Sequence, residues 1–196
     1  MHFGSKNPGS PYKMGSVELG TTANERDLGV NFATDLKWRE HINVCAAKAN
    51  CVLGLIKRNF VNFDIELVKI LYTVYVRPLI EFAVPVWNLS LKGDIESLEK
   101  IQRRVTKMVY ELKDLSYEDR LEYLGLTTLE KRRIRGDLIQ VFKIFNGFEK
   151  VELCEMPTFN SNIKTRGHSK RYAREISKNS ARHNFLPMNG IIYPKK

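Results

Sequence analysis

Hydrophobic periodicity divides the chain into a short β region and a longer helical region. Val17, Leu19, Leu28, Val30 and Phe32 alternate with polar residues at period two, which is the spacing of a half-buried strand. From about residue 35 onwards, apolar residues recur every three or four positions, as in an amphipathic helix. The sequence therefore predicts a mainly α protein, with five to six helices following a small N-terminal antiparallel β ribbon.

Capping and proline signals place the first two helices. One helix is expected from near Asp35 to about Phe60, and a second from Asp64, a candidate N-cap. Pro78 predicts an end or bend just before it, with the helix resuming through residues 80–87. The aromatic residues of this apolar stretch are interpreted as core, with a base-stacking platform as the alternative.

The third predicted helix separates apolar from basic positions. Its apolar stripe consists of Leu91, Ile95, Leu98, Ile101, Val105, Met108 and Leu112. Lys100, Arg103 and Lys107 fall on the opposite face at 100° per residue. This face either lies along a phosphate backbone or is a solvated surface on which glutamates four residues upstream pair with Lys100 and Arg103. Arg104, at the border of the stripe, has no acid four residues away and is a freer candidate.

Two capping boxes predict the last helices. Ser116-x-x-Asp119 begins one of them and Gly125 ends it. Thr127-x-x-Glu130 begins the other, which is expected to stop at Gly147.

The last helix opens on the densest basic run of the chain, Lys131, Arg132, Arg133 and Arg135. Arg133 can pair with Asp137, whereas Arg132 and Lys143 share the outer face without an obvious acidic partner. A phosphate contact and a solvated face are both consistent with this pattern.

Charge is concentrated at the C-terminal end. Residues 160–196 hold nine of the 32 Lys and Arg residues but one of the 22 Asp and Glu residues. The nine are Lys164, Arg166, Lys170, Arg171, Arg174, Lys178, Arg182, Lys195 and Lys196. Such a tail favours a polyanion partner, because Lys and Arg beside phosphates release counterions. The alternative is a solvated, disordered terminus.

Several classes of site and location are not indicated. Cys45, Cys51 and Cys154 lack zinc-ligand spacing and the histidines are scattered, so no metal site is predicted. Charges and prolines interrupt the most apolar window, residues 65–87, which argues against a membrane span. No phosphate loop, nucleophile elbow or catalytic triad appears. Cysteine usage and the lack of a signal-peptide pattern predict an intracellular protein, of the nucleus or cytoplasm.

Four segments carry a resemblance to a known family. They are RPLIEF at 77–82, LEKIQRR at 98–104, LSYEDRL at 115–121 and LEKRRIRGDL at 129–138. Their order resembles the region downstream of the polymerase palm in reverse transcriptases of jockey-like LINE elements, the non-LTR retrotransposons. The Trp38-x-x-His41 spacing also fits that family, where it marks the entry to the thumb. The resemblance covers roughly residues 1–185.

The resemblance implies a division into four parts: 1–34 as a remnant of palm strands, 35–113 as a thumb-like region, 114–159 as a post-thumb region and 160–196 as a basic tail. It implies RNA or DNA as a partner, bound without sequence preference. The family's magnesium-dependent RNA-directed DNA polymerase activity needs an Asp-Asp pair, which this sequence lacks. No catalytic residue and no cofactor is therefore assigned.

Three functions remain open from the sequence. The first is a noncatalytic nucleic-acid-binding fragment of such a polymerase. The second is an enzyme fragment that works only with the missing palm region supplied by another chain. The third is a helical protein-interaction module or a nonfunctional translated relic of a retroelement.

Overall fold

The structure is a computed structural model that describes residues 1–4, 7–87 and 91–149. This part is mainly helical after two small antiparallel ribbons, which confirms the expected fold class. The strands are β1 Lys13–Met14, β2 Val17–Glu18, β3 Asn24–Asp27 and β4 Val30–Ala33. The helices are α1 Arg39–Asn59, α2 Ile65–Leu71, α3 Arg77–Ile80, α4 Lys92–Thr106, α5 Tyr117–Leu124 and α6 Leu129–Phe145.

Each ribbon is a separate two-stranded hairpin, β1 with β2 and β3 with β4. Leu28, expected in a strand, instead forms the β3–β4 turn with Gly29, at φ of +45° and +87°. Positive φ at both central residues is the turn that matches strand twist in a two-residue hairpin. A Cβ at Gly29 would also lie 3.1 Å from the Phe82 ring, closer than ordinary van der Waals contact, so both the positive φ and the available space favour glycine here.

The first helix begins at Arg39, four residues later than expected. Asp35 accepts a hydrogen bond from the backbone N–H of Lys37 at 3.0 Å, and Leu36 has a φ of +54°. This local turn gives the backbone a partner outside the helix and so delays its start.

His41 joins α1 to β4 and to the turn that ends at Trp87. Its Nδ1 accepts from the N–H of Asn31 at 3.3 Å, and its ring meets that of Trp87 edge to face at 5.3 Å. Its side chain is buried, and burial lowers the pKa of the imidazole, with the Lys48 charge acting in the same direction. His41 therefore has a packing role in the core.

The second helix passes Pro78 through a wider turn. Asp64 caps α2 as expected, accepting from the N–H of Leu67 at 2.7 Å. A π-helical segment, Tyr72–Val76, follows, in which the N–H of Arg77 donates to the carbonyl of Tyr72. This wider turn precedes the proline, whose ring would otherwise meet the carbonyl one turn back.

The helix nevertheless ends at Ile80, and residues 81–86 form turns, so the expected helix through residue 87 is wrong. Tyr72 and Trp87 lie in the core as predicted, but Tyr75 is 57% exposed and Phe82 47%. The core interpretation thus holds for part of this aromatic set.

Both ends of α5 follow the capping signals, whereas α6 begins at Leu129, so Thr128 rather than the expected Thr127 precedes its first residue. The Ser116 hydroxyl accepts from the N–H of Asp119 at 3.2 Å, and Gly125 ends α5 at a φ of +61°. The third predicted helix stops at Thr106 and resumes as a 3₁₀ turn, Tyr110–Leu112. α6 ends at Phe145, two residues before Gly147.

The chain divides into two compact units, Met1–Leu129 and Glu130–Lys196. In the first, α1, the segment from α2 to α3, α4 and α5 share one apolar core. Its fully buried side chains include Ile42, Val68, Tyr72, Ile80, Trp87, Leu98, Ile101 and Leu124. Of the second unit, the structure describes residues 130–149.

Candidate nucleic-acid interface on α4

α4 lies beside α1 and runs in the same direction. Arg39, the first residue of α1, pairs with Asp94 in the first turn of α4, with Nε and Oδ1 3.7 Å apart. About three turns further along both helices, Arg104 Nη1 donates to Asn50 Oδ1 at 3.0 Å. Apolar side chains of α4, among them Leu98, fill the core beneath. α4 is therefore held at both ends.

Four cations occupy the outward side of α4. Lys100, Arg103, Arg104 and Lys107 are all exposed and together form the α4 basic face. At 100° per residue they fall within an arc of about 100°. One carboxylate shares this side: Glu96 pairs with Arg103 at 3.5 Å rather than with Lys100.

Glu99, expected as an outward partner of Arg103, turns inward instead. Its carboxylate is 6% exposed and accepts from the Tyr117 hydroxyl and, at 3.2 Å, from the N–H of Leu129. Burial and the neighbouring carboxylate raise the pKa of Tyr117 far above its usual value, so its hydroxyl keeps the proton it donates. The α4 basic face therefore carries one carboxylate, that of Glu96, rather than the two that the sequence suggested.

Tyr117 also holds Arg103 from below. The Arg103 guanidinium lies 5.0 Å from the centre of the Tyr117 ring, within the range of a cation–π contact. Arg120 approaches the same ring at 5.7 Å, donates to the Thr106 hydroxyl at 3.1 Å and is 4% exposed. The Arg103 guanidinium is therefore held at an exposed position, whereas Arg120 is buried with a hydroxyl partner.

Sequence reasoning did not single out Glu99, Tyr117 or Arg120 as a connected set. They lie up to 21 positions apart, and only the packing of α5 against α4 brings them together. The Ser116 capping signal placed Tyr117 and Arg120 on one helix, but it did not indicate that this helix packs against α4.

Arg104 is less free than expected, because its guanidinium already has the amide oxygen of Asn50 as a partner. The expectation considered only acids four residues away on the same helix, and Asn50 comes from α1. A neutral amide leaves the charge of Arg104 in place, so the residue still adds to the basic face.

The cations of α6 make more contacts than the sequence indicated. Lys143 was expected to lack an acidic partner but lies 3.1 Å from Glu149, whose pKa its hydrogen bond lowers. Arg132 and Arg133 are half-buried and have further contacts. Burial raises the pKa of Asp137, and the positive charge of Arg133 offsets only part of that rise.

The remaining predicted contacts lie outside the described residues: Lys164, Arg166, Lys170, Arg171, Arg174, Lys178 and Arg182. Within the described ranges, His, Cys, Asp and Glu side chains do not group in threes as a metal ion would require. Over the same ranges, no helix combines the length and the apolar character needed to cross a membrane.

Comparison with known proteins gives little to set beside this geometry. Neither a family model nor a solved structure matches the chain. It is similar to an uncharacterized protein of Caenorhabditis elegans, B0403.1, with 26% identity over 137 residues, or 68% of each chain. That level of identity assigns neither a family nor a function.

Proposed function

We propose that this chain binds RNA or DNA without catalysing a reaction, and that the α4 basic face is its contact surface in the helical unit. The observation that carries the proposal is the charge balance of that face, four exposed cations against the single carboxylate of Glu96. The inward turn of Glu99 produces this imbalance.

The dimensions of the face suit a phosphate backbone. Lys100 and Lys107 are two helical turns apart, or about 10 Å along the axis. A duplex carries one negative charge per about 1.7 Å of its axis, so several phosphates lie within that length. Contacts of this kind add affinity without reading sequence, because every phosphate looks alike.

The resemblance to LINE reverse transcriptases supports the same function. In that family the thumb closes over primer and template, and α1 through α4 lie within residues 35–113, which the resemblance implies are thumb-like. The chain lacks the Asp-Asp pair that binds catalytic metal in the family, so we propose no nucleotidyl transfer by this chain alone. A palm region in another chain would have to supply that chemistry.

A double charge reversal tests the proposal. In Lys100→Glu with Lys107→Glu, affinity for a labelled 20-base-pair duplex at 50 mM salt should fall by about tenfold or more, measured by fluorescence polarisation. The slope of log affinity against log salt should flatten by about 2, since each lost phosphate contact removes about 0.9.

Lys13→Glu with Arg26→Glu is the matched control, because both residues are exposed cations of the hairpins and the change in net charge is the same. Its affinity should stay within about twofold of the original, since these two cations lie on the hairpins and are not part of the α4 basic face. Equal losses in the two variants would mean that net charge alone matters, and the proposal for α4 would be wrong. Absence of binding by the unaltered chain would favour the interaction module or relic.

A further inference from the structure

A tyrosine projects into solvent directly after the α4 basic face. Tyr110 is 85% exposed and opens the 3₁₀ turn that follows α4. Its neighbours Val109 and Leu112 are 1% and 3% exposed, so the turn is fixed to the core on both sides. The backbone N–H of Lys113 donates to the carbonyl of Tyr110 at 3.3 Å. The ring is therefore held outward by a rigid turn rather than by a loose loop.

The ring lies within reach of the basic face. Tyr110 lies three positions after Lys107, which limits the distance between their Cα atoms to about 11 Å even for extended backbone. Lys113, also exposed, stands three residues beyond it. A flat aromatic surface with a cation on each side is the arrangement that proteins use to bind successive nucleotides of a single strand.

We propose that Tyr110 stacks on an unpaired base, so that the α4 basic face binds single-stranded RNA or DNA in preference to duplex. This inference rests on the proposed function and specifies its ligand. Bases inside a duplex are already stacked on one another, and a protruding tyrosine meets only the sugar and phosphate there. An unpaired base offers its face to the ring while its phosphates lie along Lys107 and Lys100.

Two exposed carboxylates close to Tyr110 in sequence provide a second test. They are Glu111 and Asp114, which follow Tyr110 within four residues. The Glu111 side chain makes no hydrogen bond or ion pair within the described residues. A strand that crosses Tyr110 passes close to Glu111 and is repelled by it, so Glu111→Gln should tighten single-strand binding by about twofold or more. A gain of this kind does not arise from misfolding.

Photocrosslinking locates the contact in the full-length chain. A 12-nucleotide RNA of uridines with one central 4-thiouridine is irradiated with the protein, and the crosslinked peptide is identified by mass spectrometry. We expect the crosslink at Tyr110 and expect Tyr110→Ala to remove it. Tyr12→Ala, which changes an exposed tyrosine of the hairpin region, is the control and should leave the crosslink in place. Crosslinks confined to other peptides would overturn the inference.

Affinity measurements separate this inference from the proposed function. Tyr110→Ala should weaken binding of the 12-nucleotide strand by about fivefold or more, and binding of a 12-base-pair duplex by less than about twofold. Tyr110→Phe keeps the ring and should recover most of the single-strand affinity. If Tyr110→Ala has no effect while Lys100→Glu with Lys107→Glu does, the stacking inference fails and the proposed function stands. If neither variant changes binding, both fail.

Discussion

The polar groups beneath α4 and the cations on its outer side differ in how many partners each one has. Glu99 accepts two hydrogen bonds, and Gln102 accepts from Tyr72 at 2.6 Å while donating to the carbonyl of Thr127 at 2.9 Å. The side-chain ammonium groups of Lys100 and Lys107, in contrast, make no hydrogen bond or ion pair with any residue that the structure describes. A buried polar group without a partner is costly, whereas an exposed cation is solvated by water.

This difference in partners assigns the buried polar residues of α4 to stability and its exposed cations to binding. Changing a group beneath α4 should lower the free energy of unfolding and leave the salt dependence of binding unchanged. Changing a cation on the basic face should flatten the salt dependence of binding and leave the free energy of unfolding unchanged. Any variant that moves both quantities together breaks this division.

Removal of residues 160–196 has the largest expected effect on binding. If about six of its cations engage duplex phosphates, they contribute roughly −5 to the slope of log affinity against log salt, at about 0.9 per contact. The truncated chain should lose most of that slope and keep only what the α4 basic face provides. Titrations of labelled duplex between 50 and 200 mM salt measure both.

A full-length variant with glutamine at every Lys and Arg of residues 160–196 controls for the length of the segment and should behave like the truncation. A truncated chain that binds as tightly and as salt-sensitively as the full chain would show that the helices hold the whole site. The basic tail would then have no part in the affinity.

Glu99→Ala should give the largest loss of stability, about 2–4 kcal/mol. The substitution leaves the Tyr117 hydroxyl and the Leu129 N–H without their acceptor, and each buried unpaired group costs about 1–3 kcal/mol. Urea denaturation followed by circular dichroism measures it. Glu96→Ala, the exposed counterpart, should change stability by less than about 0.5 kcal/mol but strengthen duplex binding, since it removes the carboxylate of the basic face. Similar losses for both variants would contradict the assignment.

Sequence predicted those features that depend on neighbouring residues. Asp64 and Ser116 cap helices because their acceptors lie three residues from the N–H groups they satisfy. The inward turn of Glu99 was not predictable in this way, since its partners lie 18 and 30 residues away. Helical spacing alone placed Glu99 one turn from Arg103 and indicated an ion pair. Packing of α5 beneath α4 provided a better site for the carboxylate.

The same limit applies to the path around Pro78. Sequence correctly located a disturbance there, but the π segment and the end of the helix at Ile80 depend on how Trp87 and Ile80 reach the core. The candidate site was therefore half predictable. Its cations followed from periodicity, whereas the removal of Glu99 from the basic face followed from contacts distant in sequence.

His41 should make the stability of the chain depend on pH. Burial lowers the pKa of His41 in the folded state below the value of about 6.5 in the unfolded chain. The unfolded state therefore binds more protons as the pH falls through 6.5, and stability present above that pH is lost below it, by at most about 1.4 kcal/mol per pH unit. Urea denaturation at pH 7.5 and 5.5 measures the loss.

His41→Asn keeps an acceptor for the N–H of Asn31 and removes the titrating ring. It should be less stable than the original chain at pH 7.5 but nearly flat between the two pH values. A variant that loses as much stability on acidification as the original chain would place the responsible group elsewhere.

Tyr72→Phe has the smallest expected effect. It tests whether a buried hydrogen bond beneath α4 serves stability alone. The phenylalanine keeps the ring in the core and removes the hydroxyl that donates to Gln102, leaving a buried amide oxygen without that donor. The cost should be about 1 kcal/mol, seen as a lower urea midpoint with an unchanged slope of free energy against urea. Tyr75→Phe, on the same π segment but 57% exposed, is the control and should cost close to nothing. Because Gln102 lies on α4 beneath the basic face, a change in nucleic-acid affinity on Tyr72→Phe would mean that the two sides of the helix are coupled.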